Sequence, residues 1–265
     1  MLKKRVVLTL DVEEFDVPLE YGMKIGLDEQ IEVSTRGLLL LKSLFEKHNI
    51  EITIFCTGQF ALLKPELIKE LSIKHEIASH GMFHSSFNQT TDLMGSKKVL
   101  NEITGQEISG FRMARMMSVE TKYLLEAGYT YNASLNPTFI PGRYNHLDKS
   151  KTPFMKDGIL EIPVTVSPHL RFPLFWLSFK NLPLWIYKKL TNDSLSFYDT
   201  INLYFHPWEF TDLSDYSKIP KYIRRNSNGA LLKRLDDYIS WLKKQNVEFL
   251  TIEKAYCRNN YESKT

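Results

Sequence analysis

The chain has 265 residues, of which 43% are hydrophobic and 25% are charged, and its net charge is +3. This composition is ordinary for a globular protein with a large core, and the length suits one large α/β domain or two small ones. The small positive charge, without a block of Lys and Arg, does not indicate nucleic acid as a partner, and two cysteines are too few for a disulfide scaffold.

The N-terminus begins like a secretory signal but does not continue as one. Lys3, Lys4 and Arg5 precede an apolar run at 6–10, which is too short for a signal and stops at Asp11. The chain has no stretch of about 18 uncharged apolar residues that could span a membrane. Together with the low cysteine content, these features predict a reduced, cytoplasmic protein that acts at most at the inner face of the membrane.

Strands and helices alternate along the sequence. Short apolar or β-rich runs predict strands at 6–10, 51–56, 76–79, 110–111, 129–134, 160–166, 201–205 and 247–252. Apolar residues at helical spacing predict helices at 35–48, with Ser34 or Thr35 as a cap, and at 65–73, 96–103, 119–127 and 230–245. About seven strand–helix pairs are too many for a small open sheet. We therefore predict an α/β fold in which residues 1–265 form a single-domain, distorted (β/α) barrel of about seven parallel strands.

Residues able to do chemistry follow several of these predicted strands. Functional residues gather at the carboxyl ends of strands in parallel α/β folds. The residues at these positions are Asp11, Glu13 and Glu14, then His80 and His84, then Arg112, and finally His206, Trp208 and Glu209. Carboxylates, histidines and an arginine that meet on one face of a barrel predict a metallohydrolase.

His80 and His84 are four residues apart, a spacing that points both imidazoles the same way on a helix or on an extended segment. Two imidazoles and a carboxylate are a common catalytic zinc set. Each signal is weak alone, because H-x-x-x-H occurs by chance and acidic residues after a strand are often solvated turn residues. Arg112 could be a surface cation, and His206 could simply end a strand. The prediction therefore depends on the position that these residues share.

The segment 168–190 is rich in Phe, Trp and Leu, with Lys and Arg interleaved. We favour a loop and a helix packed on the core. The alternative is an interfacial patch, or a wall over a lipid-linked substrate. Trp176, Trp185 and Trp208 could stack on sugar faces, although core packing is the more common use of a tryptophan.

The order T-x-D, H-x-x-x-H, R and H-P resembles that of the polysaccharide deacetylase family, also called the NodB homology or carbohydrate esterase 4 family. The segments ITIFCTGQF, HEIASHGMFH, GFRMARMMS and YFHPWEF each resemble a motif of that family. The first motif, DVE followed by an acidic residue, and the aromatic segment before YFHPWEF resemble the branch found with bacterial exopolysaccharide gene clusters. The resemblance runs through most of the chain and implies a NodB-like barrel, related to the TIM barrel.

The resemblance also implies roles in proton transfer. Asp11 matches the catalytic base, and Arg112 matches the arginine that orients this base. His206 matches the histidine that protonates the leaving group. Trp208 and Arg115 would lie against the substrate, with a backbone N–H near Arg115 facing the developing oxyanion.

A metal site follows from the same resemblance. His80 and His84 match the two histidine ligands, and Glu13 matches the carboxylate ligand, with Glu14 as the competing choice. This mixed nitrogen and oxygen set implies one divalent metal ion, with zinc favoured and Co, Ni, Mn or Fe also fitting.

The sequence departs from the family pattern near the site. Residues 113–115 (Met-Ala-Arg) follow Arg112, where a proline is usual. Asn132 stands where many members carry Asp, and we can assign no aspartate as the partner of His206. These departures bear on the backbone beside the site and on the pKa of the acid, and they leave the metal ligands unaffected.

Taken together, the residues and the resemblance predict a metal-dependent hydrolase that removes N-acetyl or O-acetyl groups from amino sugars. The substrate would be an N-acetylated polysaccharide or its lipid-linked precursor, with peripheral membrane contact through 168–190. The sequence does not define the oligomeric state. Two alternatives remain: a metal-dependent amidase that acts on a small non-peptide amide, and a carbohydrate-binding protein with a decayed site.

Overall fold

A curled, mostly parallel β-sheet forms the centre of the fold. The computed structural model describes residues 3–257. The strands in chain order are β1 (Arg5–Val12), β2 (Thr53–Cys56), β3 (Glu76–Ser79), β4 (Gly110–Phe111), β5 (Tyr131–Asn132), β6 (Phe139–Ile140), β7 (Tyr144–Asn145), β8 (Phe154–Lys156), β9 (Ile159–Glu161), β10 (Thr200–Phe205) and β11 (Glu248–Phe249). The main sheet has the order β10–β1–β2–β3–β4–β5–β9–β8, with β11 also beside β1, and β6 pairs with β7 in a separate hairpin.

Parallel pairing runs from β10 through β1 to β9, whereas β8 is antiparallel to β9. This arrangement confirms the predicted α/β class and barrel-like sheet. The antiparallel strands at 139–156 were not predicted, because that segment lacks the apolar alternation that marks a strand in sequence.

Helices lie between most of the strands. The helices of the described residues are α1 (Val17–Glu20), α2 (Leu27–His48), α3 (Gly58–Leu63), α4 (Pro65–Ser72), α5 (Asp92–Thr104), α6 (Thr121–Glu126), α7 (Trp176–Asn181), α8 (Leu184–Tyr198), α9 (Lys221–Arg224) and α10 (Gly229–Lys244). Their apolar residues form the main core with one face of the sheet. Among the described helices, none is both long enough and apolar enough to cross a membrane.

The strand register brings several strand ends to one edge of the sheet. β1, β2, β3 and β4 end at paired residues, which are Val12, Cys56, Ser79 and Phe111. The residues that come next in the chain are Glu13, Thr57, His80 and Arg112, and His206 follows β10 in the same way. The sheet therefore gathers side chains that are far apart in sequence.

Alternate residues of β1 face opposite sides of the sheet. Leu8 and Leu10 belong to the main core, whereas Val7 packs with Phe55 on the inner side of the curled sheet. The sequence predicted that Asp11 follows the first strand. β1 instead continues to Val12, so Asp11 lies within the strand. Since strand side chains alternate, Asp11 shares the inner face with Val7.

Helix α2 begins at Leu27, well before the predicted start at residue 35, and Ser34 and Thr35 are therefore not caps. The Ser34 hydroxyl donates to the carbonyl oxygen of Glu13 at 2.6 Å, and the Thr35 hydroxyl donates to that of Ile31 at 2.7 Å. The first turns were missed because the buried residues Ile31 and Val33 are two apart, a spacing more typical of a strand.

The aromatic segment 168–190 divides between core and surface. Phe179 and Tyr187 are fully buried, as the favoured interpretation predicts. Leu170 and Trp185 are 86% and 70% exposed, which leaves part of the segment as an apolar surface.

Helix α2 packs closely against the 3₁₀ turn Pro207–Phe210, which follows β10 and His206. Gly37 lies at this contact, and a Cβ atom there would come within 1.8 Å of the carbonyl oxygen of Pro207. Only glycine allows the helix and the turn to approach so closely.

This contact predicts that Gly37→Ala destabilises the protein. Alanine favours a helix over glycine by about 1 kcal/mol. The clash with the backbone of Pro207 should outweigh this gain and lower the free energy of unfolding by about 1–3 kcal/mol, measured by urea denaturation. Gly95→Ala in α5 is the matched control, because the nearest atom to its new Cβ is 4.0 Å away. Equal stabilities for the two variants would contradict the close approach.

Candidate active site

The segment 11–16 (Asp-Val-Glu-Glu-Phe-Asp) carries four buried carboxylates at the carboxyl edge of the sheet. Asp11, Glu13, Glu14 and Asp16 are each no more than 3% exposed. A buried carboxylate is costly unless it is paired with a cation or accepts hydrogen bonds. The partners of these four groups therefore define the site.

Glu13 meets the two histidines that follow β3. Its Oε2 atom lies 3.1 Å from His80 Nε2 and 3.0 Å from His84 Nε2. One ligand atom from each of these three buried residues can lie within 4.8 Å of the other two, so the group could hold a metal ion.

The electrostatics at this point favour a positive charge. Burial alone would raise the pKa of Glu13, but the imidazoles of His84, His206 and His80 hold that pKa well below its usual range. Burial alone would lower the pKa of His84, yet the carboxylates of Glu13 and Asp16 raise it to about 9. The carboxylates of Glu13 and Asp16 would stabilise a metal cation in the same way, with the histidine ligands in their neutral form.

Glu14 takes a different position from Glu13. Its Oε1 accepts a hydrogen bond from the Thr57 hydroxyl at 2.9 Å, and its Oε2 accepts one from the backbone N–H of His84 at 3.2 Å. Burial raises its pKa. Glu14 thus ties β1 to the segments after β2 and β3, and Glu13 is the carboxylate that faces the histidines.

Asp16 braces His84 from the side away from Glu13. Its Oδ1 lies 2.8 Å from His84 Nδ1, and its Oδ2 accepts from Arg115 Nη2 at 2.9 Å. Carboxylates commonly orient metal-binding histidines in this way. The sequence analysis missed Asp16, although it belongs to the same acidic run. His80 lacks such a brace, since its buried Nδ1 makes no hydrogen bond among residues 3–257.

Arg115 is engaged with acidic side chains of its own protein. Its guanidinium binds Asp16 and also Glu20, where Nε donates to Oε1 at 2.8 Å. Arg115 and Met116 both have left-handed backbone conformations, with φ of 56° and 54°. This uncommon pair of conformations lies directly after Ala114, in the segment that follows Arg112. The substrate-binding role of Arg115 remains a prediction.

Asp11 is held by the fully buried Arg112. Arg112 Nη1 donates to Asp11 Oδ1 at 2.7 Å and to the Thr9 hydroxyl at 2.7 Å, and Nε donates to the carbonyl oxygen of Ala133 at 3.0 Å. The guanidinium also lies 4.1 Å from the ring centroid of Phe55. These contacts fix the carboxylate and leave Oδ2 facing the cavity side, 4.0 Å from His206 Nε2.

His206 has Glu209 as its carboxylate partner. Glu209 Oε1 lies 3.0 Å from His206 Nδ1 and also accepts from the backbone N–H of His206 at 2.8 Å. Burial alone would lower the pKa of His206, but Glu13, Glu209 and Asp11 raise it. The sequence analysis assigned no partner here. A carboxylate three residues after His206, in the manner of a helix capping box, was the available signal.

Trp208 supports Glu13 and covers one face of His206. Its indole N–H donates to Glu13 Oε1 at 3.1 Å, and its ring stacks on His206 with centroids 5.0 Å apart. Trp208 is only 2% exposed, so little of its ring is open for a sugar. Trp176 lines the cavity, whereas Trp185 does not.

Asn132 lies apart from these groups. Its side-chain amide donates to both oxygens of Glu161, at 3.1 Å each, and its own oxygen accepts from the Ser134 hydroxyl. The substitution of Asn for the more common Asp is therefore compensated within a local polar network.

The candidate ligands and proton-transfer groups open into one cavity of about 230 Å³. Asp11, Glu13, His80, His84 and His206 form its polar wall. Elsewhere the lining includes apolar surface from Met116, Tyr144, Phe175, Trp176 and Tyr204, together with the charged side chains Glu20, Arg115 and Arg143. The cavity can therefore hold a small polar group next to an apolar surface.

Comparison with known proteins gives a family match over part of the chain and a shared fold over nearly all of it. The model of the polysaccharide deacetylase family matches residues 35–131, which is less than half of the chain. No curated protein matches the chain.

Solved structures share the fold over nearly the whole chain. A polysaccharide deacetylase structure from Mycobacterium smegmatis has a TM-score of 0.65 at 19% identity and covers 99% of this chain and 92% of its own. PuuE allantoinase has a TM-score of 0.63 at 16% identity, with 94% and 88% covered. A family 4 acetyl xylan esterase from Clostridium thermocellum, in complex with a cobalt ion, has a TM-score of 0.53 at 12% identity, with 97% and 92% covered.

At these identities the structural likeness shows the fold alone, and the likeness to the deacetylase family is limited to the match over 35–131. That match spans β2, β3 and β4 and includes His80, His84 and Arg112. The chain therefore shares the fold of these structures and resembles the polysaccharide deacetylase family over residues 35–131.

Proposed function

We propose that this protein is a metal-dependent deacetylase that hydrolyses N-acetyl groups, or O-acetyl groups, of amino sugars. The observation that carries the proposal is one cavity in which Glu13, His80 and His84 converge beside Asp11 and His206. The match to the deacetylase family supports the same reaction. We treat residues 1–265 as a single catalytic domain.

Glu13, His80 and His84 would hold one divalent metal ion. The donor set fits zinc best, because two imidazoles and one carboxylate leave coordination positions open for water and substrate. Co, Ni, Mn and Fe also accept such a set. When bound, the ion would polarise the acetyl carbonyl and lower the pKa of water.

Asp11 is the proposed base. Its carboxylate is fixed by Arg112 through Oδ1, and Oδ2 is left for the proton of the attacking water. Arg112 is buried and does not line the cavity, so its proposed role is to orient Asp11.

His206 is the proposed acid. Its Nε2 lies 4.0 Å from Asp11 Oδ2 and 4.0 Å from Glu13 Oε1, on the cavity side of the ring. Glu209 holds the other ring nitrogen. His206 would donate its proton to the departing nitrogen, since an amide nitrogen leaves poorly without protonation. Arg115 would border the bound sugar, as would the small part of Trp208 that reaches the cavity, and a backbone N–H near Arg115 would stabilise the oxyanion.

The reaction is tested by an assay of acetate release from N-acetyl chitooligosaccharides, compared with ring-opening of small ureides. We expect the metal-loaded protein to release acetate. Turnover of ureides alone would favour the alternative of a small-amide amidase, to which the fold shared with an allantoinase gives some support. Glycan binding without turnover of either substrate would favour a decayed carbohydrate-binding protein.

The proposed ligands make a prediction about metal content. Glu13→Gln, His80→Ala and His84→Ala should each lose most of the bound metal, because three donors hold the ion. Glu14→Gln is the matched control and should keep it, since Glu14 is bound by Thr57 and by the backbone of His84. Elemental analysis of the purified variants measures this. Full metal content in Glu13→Gln would contradict the ligand set.

A second prediction concerns the base. Asp11→Asn should reduce kcat by at least about a hundredfold, which is the lower end of the contribution of a general base. Its metal content should stay unchanged, because Asp11 lies outside the ligand group. Steady-state kinetics on the metal-loaded variant measures this. Near-normal turnover would show that Asp11 is not the base.

An apolar groove of about 620 Å³ adjoins the cavity. Its presence supports the proposal that the substrate is amphipathic. Cavity and groove share Ile140, Phe175, Leu177 and Tyr222. The polar side chains of the groove, such as Ser178 and Asn181, already bond to backbone oxygens, so the groove offers mainly apolar surface. We propose a lipid-linked precursor of a bacterial exopolysaccharide as the substrate. The sugar would occupy the cavity and the lipid would occupy the groove.

This substrate predicts contact with a membrane surface at its cytoplasmic face. The exposed residues Leu170 and Phe172 lie at the groove within 168–190. The wild-type protein should co-sediment with anionic vesicles, and the double change Leu170→Ser and Phe172→Ser should weaken this binding severalfold. Leu63→Ser, at an exposed site on α3 outside both cavities, is the matched control. Absence of vesicle binding by the wild type would contradict the membrane contact.

A further inference from the structure

Lys180 is a buried cation that the proposed chemistry leaves without a role. It lies on α7 and is 1% exposed. Its ammonium donates to the carbonyl oxygen of Ile223 at 2.8 Å and to the Ser227 hydroxyl at 3.1 Å. It also lies 3.6 Å from Glu209 Oε2. A lysine is almost never fully buried unless it is paired, so this pairing needs an explanation.

Glu209 connects Lys180 to the proposed acid. Its Oε1 takes both hydrogen bonds from His206, and its Oε2 has no hydrogen-bond partner among the residues that the structure describes. The side chains of Glu209 and Lys180 are both 0% exposed. A carboxylate buried to this degree is costly unless a cation is paired with it. Lys180, on the side of Glu209 opposite His206, supplies that charge.

We propose that Lys180 is a positioning residue for the acid, acting on His206 through Glu209. An ionised carboxylate can only accept hydrogen bonds, so it fixes the proton of His206 on Nδ1. Nε2, which faces the cavity, is then the nitrogen that receives and delivers the catalytic proton. Neither Lys180 nor Glu209 lines the cavity, so neither touches the substrate. The inference rests on the proposed deacetylase function.

The leaving group separates this role from a purely structural one. An amine needs a proton to leave, whereas the phenolate of an activated aryl acetate leaves without one. Loss of Lys180 should therefore slow amide hydrolysis and leave aryl ester hydrolysis nearly unchanged. General damage to the fold or to the metal site would slow both reactions alike.

The experiment compares Lys180→Met, Glu209→Gln and the double variant on an N-acetyl chitooligosaccharide and on 4-nitrophenyl acetate. We expect Lys180→Met to lower kcat for the amide about tenfold or more, with KM unchanged and with ester turnover within about twofold of the wild type. The double variant should be no slower than Glu209→Gln, because Lys180 acts through Glu209. Lys97→Met is the matched control. Lys97 is also buried, and it binds the carbonyl oxygen of Gly128 far from His206 in sequence.

A spectroscopic readout tests the same inference without catalysis. Long-range ¹H–¹⁵N NMR spectra report which ring nitrogen of His206 carries the proton. At a pH above the pKa of His206, where the ring is neutral, the wild type should show the Nδ1–H form, and Lys180→Met should show a mixture of the two forms. Ser227→Ala, which removes one partner of Lys180, should shift both readouts in the same direction by a smaller amount. It therefore serves as the test should Lys180→Met fail to fold.

Equal losses on amide and ester, or normal amide turnover with an unchanged His206 tautomer, would overturn the role of Lys180 while leaving the proposed function intact. Additive effects in the double variant would also overturn it. A wild-type protein inactive on both substrates would remove the proposed function, and this inference with it.

Discussion

The burial of four carboxylates within residues 11–16 is the constraint on which the rest of the site depends. Removing one carboxylate from water costs several kcal/mol in practice, so each must find a partner. Asp11 is paired with Arg112, and Glu13 is paired with the histidines. Glu14 accepts a hydrogen bond from Thr57, and Asp16 contacts His84 and Arg115. These partners follow β2, β3 and β4. The acidic segment can therefore be buried only where the curled sheet brings the ends of these strands together.

The same need for a partner of opposite charge gives different surroundings to the two groups proposed for proton transfer. Asp11 and His206 lie 4.0 Å apart, and each is held from behind by a group of opposite charge. Arg112 holds Asp11 through a hydrogen bond from its guanidinium, while Glu209 favours a protonated His206. A pair of titratable groups whose surroundings differ in this way is the usual arrangement for acid–base catalysis.

The sequence predicted the parts of this arrangement that have a local signal. The strands before Glu13, His80 and His206 are apolar runs, and the position of a residue after such a run could be read directly. Asp16 and Lys180 could not be assigned, because their partners lie far away in the chain and are brought near only by tertiary packing. Glu209 could have been predicted as the partner of His206, since a carboxylate three residues later in the chain is a local capping pattern. The start of α2 was missed because its first turns bury residues on more than one face.

The central claim is that Glu13, His80 and His84 hold a divalent metal ion beside Asp11 and His206. Anomalous diffraction from crystals grown with zinc, recorded on both sides of the zinc absorption edge, tests it most directly. The account predicts one strong anomalous peak about 2.0–2.2 Å from Glu13 Oε2 and from the Nε2 atoms of His80 and His84. A peak at another set of residues would contradict this claim. The absence of a peak between these three side chains, in crystals grown with excess zinc, would also contradict it.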